Sequence, residues 1–140
     1  MSPHLIIWPL FVQMLLSLLI YIPLLQRKKA ATKAKQVDLK RAALEAEAWP
    51  SPVQQVNNNI RNQFETPIIF YMLGLIALHL NAVSVLFLTL AWVYVASRLA
   101  HAWIHITSNF VPLRMKLFAL GMATLLVMMI LLALQVGPAG

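Results

Sequence analysis

Four long apolar runs, His4–Leu25, Pro67–Leu80, Ala82–Ile106 and Leu117–Leu134, leave this chain few ways to fold in water. The first holds 22 residues, so as a helix it would be ~33 Å long, enough to cross a hydrocarbon core of ~30 Å. None of the runs shows the two-residue alternation of a strand, and a membrane barrel needs many more segments. Only 11% of the residues are charged, against about a quarter in soluble domains. These features predict an all-α integral membrane protein, a single four-helix up-down bundle over residues 1–140. Its helices are expected at about 4–25, 53–80, 82–108 and 113–135, with a basic loop over 26–50.

The second run is too short to span alone. Extended back through VNNNIRNQFETPIIFY to about Val53, it becomes a full crossing, with Pro50 and Pro52 where a first helical turn tolerates them. On that helix Gln54, Asn58, Arg61, Asn62 and Glu65 fall within roughly 100° of one another. A polar stripe at bilayer depth cannot face lipid, because each unsatisfied group there costs several kcal/mol. It must face another helix, another subunit or a bound polar ligand. Arg61 and Glu65 form an ionisable pair inside a spanning segment, which marks a functional site by default.

A second stripe lies on the third helix, where Tyr94, Arg98, His101, His105 and Ser108 recur at helical spacing in an otherwise apolar segment. It too should point inward. Leu80-Asn81-Ala82 leaves room only for a hairpin, and Asn109 to Pro112 reads as a tight turn. The polar halves of helices two and three therefore lie at similar depth and can meet within a subunit or across an interface.

Both stripes also have structural readings. Arg61 and Arg98 can pair with Glu65 to hold helices together, and Asn58 and Asn62 can serve as interhelical hydrogen-bond glue. His101 and His105 form an H-x-x-x-H pair that could ligate a metal with Glu65, but the remaining histidines, His4 and His79, lie far along their helices, and no metal is expected. With no cysteine, no phosphate loop and Glu65 the lone acid outside the basic loop, thiol nucleophiles and two-carboxylate mechanisms are excluded. The inventory suits binding of an anionic, amide-bearing ligand.

Seven of the eleven Lys and Arg lie between Arg27 and Arg41, with Arg114 and Lys116 in the other connection on that side. The positive-inside rule places this first loop in the cytoplasm and both termini on the opposite side of a multi-pass protein. Residues 30–48 are rich in helix formers, with Arg41 and Glu45 four apart, and predict a short surface helix. The net charge of +7 sits beside membrane segments, so the lipid bilayer, and not nucleic acid, is the expected partner.

At this point the chain resembles the MAPEG family, the membrane-associated proteins in eicosanoid and glutathione metabolism, which includes microsomal glutathione transferases. Asn62, Glu65 and Pro67 fit the family's helix-two pattern, while Asn58 stands where the family has Arg and Arg61 sits one residue before Asn62. Arg98 fits the helix-three Arg, with His101 and His105 where tyrosines are common. The resemblance implies Arg114, in VPLRMKLF, as the thiol-activating Arg. It also implies a homotrimer binding glutathione between subunits near the cytoplasmic face.

On that resemblance the expected function is a glutathione-dependent transferase or peroxidase acting on lipophilic electrophiles. Arg114 would be catalytic, and Asn58, Arg61, Asn62, Glu65, Arg98, His101 and His105 would bind the cofactor. The alternative is a non-catalytic membrane subunit or scaffold of a larger membrane complex, favoured by the missing helix-two Arg and the histidine substitutions.

Overall fold

The computed structural model describes residues 2–137. Its elements are α1 (Ile7–Leu19), led in by a 3-10 turn at Pro3–Ile6, then α2 (Tyr21–Lys33) and a short α3 (Leu39–Ala42). There follow α4 (Ser51–Gln63), α5 (Thr66–His79), α6 (Val85–Ile106) and α7 (Val111–Val136). Among the described residues there is no strand. Three stretches of the described residues are long and apolar enough to cross a membrane: Pro3–Lys33, Val85–Ile106 and Val111–Val136.

The first stretch runs on past Leu25 through the basic residues to Lys33. Its seam at Ile20 keeps helical dihedrals, φ −64° and ψ −21°. Pro23 accounts for the seam, since it has no N–H to give the carbonyl of Leu19. The stretch ends where Lys35 adopts φ 54° and the Gln36 N–H bonds back to the Ala31 carbonyl at 3.0 Å, a left-handed helix stop. Beyond it, Asp38 caps α3 by accepting from the N–H groups of Lys40 and Arg41. Arg41 then pairs with Glu45 at 2.7 Å.

The expected continuous second helix is two helices. α4 stops at Gln63, Glu65 turns out of the helical region with ψ −87°, and α5 restarts at Thr66. Pro67 is the physical reason: it cannot donate to the Gln63 carbonyl, yet it fits the first turn of a new helix. The turn to α6 uses Asn81 at φ 53°, a left-handed position that Asn tolerates, with the Ala82 N–H returning to the Ala77 carbonyl at 2.8 Å. Ser84 caps α6 by accepting from the Phe87 N–H.

α6 and α7 pack as an antiparallel pair. A Cβ on Gly121 would lie 3.2 Å from Ser97 Oγ and 3.5 Å from Tyr94, so glycine sets how closely these helices approach. Two apolar cores result. One gathers Ile6, Leu10, Phe70, Phe87, Tyr94 and Met128; the other gathers Leu16, Leu24, Val53, Val56 and Ala102. Between them, by position along each helix, runs a polar layer of Gln13, Asn59, Gln63, Arg98 and His101, all buried.

At the basic end, Arg27 ties three helices together. It donates to the Pro52 carbonyl at 2.8 Å, to Gln55 Oε1 at 3.3 Å and to the Ile106 carbonyl at 2.5 Å. Gln55 in turn donates to the His105 carbonyl at 2.6 Å. The start of α4 and the end of α6 are thereby fixed to α2. Large apolar side chains such as Trp8, Phe11, Leu18, Trp103 and Leu126 cover the outside, as lipid contact requires.

Candidate functional site

The helix-three stripe faces inward. Tyr94, Arg98, His101 and His105 are all buried, and only Ser108, past the end of α6, is exposed. Tyr94 donates to the Thr66 hydroxyl at 3.4 Å and stacks on Phe70 at 4.5 Å between ring centroids. His101 and His105 sit edge to face at 5.6 Å, and His101 packs against Phe118 of α7 at 6.1 Å. Among the described residues no three His, Cys, Asp or Glu side chains gather to hold a metal, so the histidine pair has no third such ligand there.

Arg98 is 1% exposed. Its Nη2 donates to the Asn62 carbonyl at 3.1 Å, one of the carbonyls that the end of α4 leaves without a helical partner. Its Nε and Nη1, together with Nδ1 of His101, Nδ1 of His105 and Nε of Arg114, are buried and lack a partner among the described residues. Arg114 stands in the first turns of α7, and its Nη1 donates to Asn109 Oδ1.

Asn62, His101 and Arg114 line one open cavity of about 380 Å³, together with Met115, Phe118 and Ala119. Three residues marked in the sequence on three different helices therefore share one space. The remaining members of the helix-two stripe lie elsewhere. Asn58 and Arg61 line a separate concavity of about 520 Å³ with Glu47, Gln54 and Asn57, and Asn58, Arg61 and Glu65 are exposed. The anticipated pairing of Glu65 with Arg61 or Arg98 is not formed: among the described residues the one ion pair is Arg41–Glu45. The cavity is thus bordered by guanidinium and imidazole with no paired carboxylate, which favours an anionic occupant.

The inward polar groups of α4 are Asn59 and Gln63, which sequence reasoning passed over. Gln13 Nε2 donates to Gln63 Oε1 at 3.0 Å, Gln63 Nε2 to Asn59 Oδ1 at 3.1 Å, and Asn59 Nδ2 to the Ala102 carbonyl at 3.4 Å. This ladder joins α1, α4 and α6. A signal was present: Val53, Val56, Asn59 and Gln63 continue a single face at helical spacing.

Three apolar helices of bilayer length among the described residues, with Arg98 buried inside an all-helical fold, mark an integral membrane protein. The MAPEG family model matches residues 5–134, nearly the whole chain, and the protein belongs to that family, membrane proteins of glutathione and eicosanoid metabolism. No curated protein and no solved structure matched it.

Proposed function

We propose that this protein is a glutathione-dependent transferase or peroxidase acting on lipophilic electrophiles dissolved in the bilayer. The observation that carries the reading is the shared cavity of Asn62, His101 and Arg114, beside the unpartnered buried N–H groups of Arg98 and Arg114. Glutathione fits that donor set: its two carboxylates call for guanidinium and its two peptide amides for groups such as the Asn62 side chain. When bound it supplies a thiol that reacts as the thiolate. Arg114 holds that negative charge, and its positive field lowers the pKa of a neighbouring thiol. Arg98 and Asn62 orient the peptide, His101 and His105 wall the site, and Phe118 and Met115 give it an apolar side toward the electrophile.

The reading includes four crossings, α4 and α5 together forming the second. Asn58, Arg61, Glu65, Ile68, Met72 and Leu75 recur at alternating three- and four-residue spacing and are all exposed. Their polar half cannot face lipid, so a homotrimer that buries this seam completes the protein and brings Asn58, Arg61 and Glu65 beside a neighbour's cavity. The basic loop is cytoplasmic and the termini lie opposite.

The test is a difference absorbance spectrum of the purified oligomer at neutral pH on adding glutathione. A saturable thiolate signal, lost in Arg114→Ala and kept in Lys116→Ala, is the expected result. Equal loss in both variants would instead point to nonspecific surface charge.

A second reading has its own observation: the Gln13–Gln63–Asn59 ladder joins α1 to α4 through buried side-chain amides. On it the protein is a non-catalytic membrane subunit or scaffold docking a larger complex. That reading expects Asn62→Leu or Glu65→Leu to disrupt assembly in mild detergent; oligomers left intact by both variants count against it.

A further inference from the structure

We infer that Asn109 is a positioning residue for Arg114, presenting its guanidinium to the cavity; this deepens the proposed function and rests on it. Arg114 is half-buried, and its long side chain has many rotamers to choose from. Its Nη1 is held by Asn109 Oδ1, while its Nε remains buried and without a partner. A guanidinium is planar and rigid, so fixing one nitrogen limits where the others can point.

Two features of the α6–α7 turn make Asn109 suited to this. Its backbone is left-handed, φ 52°, a conformation that Asn tolerates far better than most residues. Its own N–H is anchored to the Ile104 carbonyl at 2.7 Å, so the side chain starts from a fixed backbone. Ile104 belongs to the last turn of α6, the turn that carries His105 and that Gln55 and Arg27 hold from outside. Arg114 is therefore set from the end of α6 as well as by its own helix. One residue supplies the turn and the acceptor together, and the two roles can be separated by substitution.

Asn109→Gly keeps the left-handed turn and removes the acceptor. Asn109→Asp keeps an acceptor at the same reach, and Asp also tolerates the left-handed region. Each variant is prepared as the full chain in mild detergent and read in two ways. The first needs no glutathione: the rate at which phenylglyoxal modifies Arg114, followed by peptide mapping. The second is the pH midpoint of the thiolate absorbance when glutathione itself is added, measured beside its Kd.

Asn109→Gly is expected to speed modification of Arg114 several-fold. It should also raise the thiol midpoint by about one pH unit, a roughly tenfold loss of thiolate at any pH well below that midpoint, with Kd changed less than about twofold. Asn109→Asp keeps the tether as a charge-assisted bond, so Arg114 should be modified no faster than in the wild type; faster modification would overturn the tether. An unchanged modification rate in Asn109→Gly overturns the tether. Faster modification with an unmoved thiol midpoint overturns the positioning role while leaving the proposed function standing. Absence of any thiolate in the wild-type protein overturns the proposed function, and the inference with it.

Discussion

Arg98 donates from Nη2 to the backbone carbonyl of Asn62 at 3.1 Å, joining the middle of α6 to the end of α4. The bond forms because α4 stops at Gln63, which leaves the Asn62 carbonyl without a helical donor. A cation that would be costly in a dry interior is thereby given a fixed partner, while two of its nitrogens stay unclaimed.

Replacing Arg98 by Leu removes that partner and leaves the Asn62 carbonyl buried and unpaired. A hydrogen bond of this kind is worth ~1.5–3 kcal/mol. We expect Arg98→Leu to lower the Tm in mild detergent by roughly 3–10 °C, read by circular dichroism. An unchanged Tm would show that Arg98 is kept for a ligand and not for the fold.

The Gln13–Gln63 contact predicts strong non-additivity. Gln13→Leu or Gln63→Leu alone strands an amide in an apolar interior and should cost ~1–3 kcal/mol. The double variant replaces both partners with apolar groups, so its loss should fall well below the sum of the singles. Additive losses in a denaturation series would mean the two amides do not depend on each other.

Gly121 predicts a size limit between α6 and α7. In Gly121→Val the added methyls must enter space held by Ser97 and Tyr94, and overpacking of this kind costs ~1–3 kcal/mol. Gly121→Ala should be milder, because its Cβ meets Ser97 Oγ at 3.2 Å, and Ser97→Ala should recover part of the loss. Thermal unfolding of the three variants separates these outcomes.

The exposed seam of α4 and α5 predicts how the proposed trimer responds to charge. Arg61→Glu would set like charges at two levels of the seam, and native mass spectrometry should then show chiefly monomer. Exchanging both residues, Arg61→Glu with Glu65→Arg, should restore the trimer at least in part. Trimer persisting in the single variant would place this face outside the interface.

Much of the fold could be read from residue spacing, because in a bilayer the backbone must satisfy itself and long apolar runs become helices. The Tyr94–Arg98–His101–His105 stripe was legible for the same reason, since ionisable groups in an apolar helix have only the interior to face. The helix-two stripe divides: Asn62 reaches the cavity, while the rest of it points out of the single chain. Spacing drew attention to Asn58, Arg61 and Glu65, which are exposed in the single chain, while Asn59 and Gln63 lie inside. Adjacent asparagines at 57, 58 and 59 cannot be ranked by composition; only their phase relative to Val53 and Val56 decides which is buried. The break at Glu65 had its signal in Pro67, whose missing N–H outweighs helical periodicity on either side. The tether from Asn109 to Arg114 had no such signal, since a turn asparagine commonly serves its own backbone.

Arg27, by holding the start of α4 and the end of α6 to α2, also bears on how the protein meets membranes of different thickness. A single helix adapts to a thin or thick bilayer by tilting alone. Here two helix ends are tied to the middle of α2 at one level, so tilt of one helix pulls on the others. The bundle therefore presents a fixed hydrophobic height, and it is the surrounding lipid that must stretch or compress to match it.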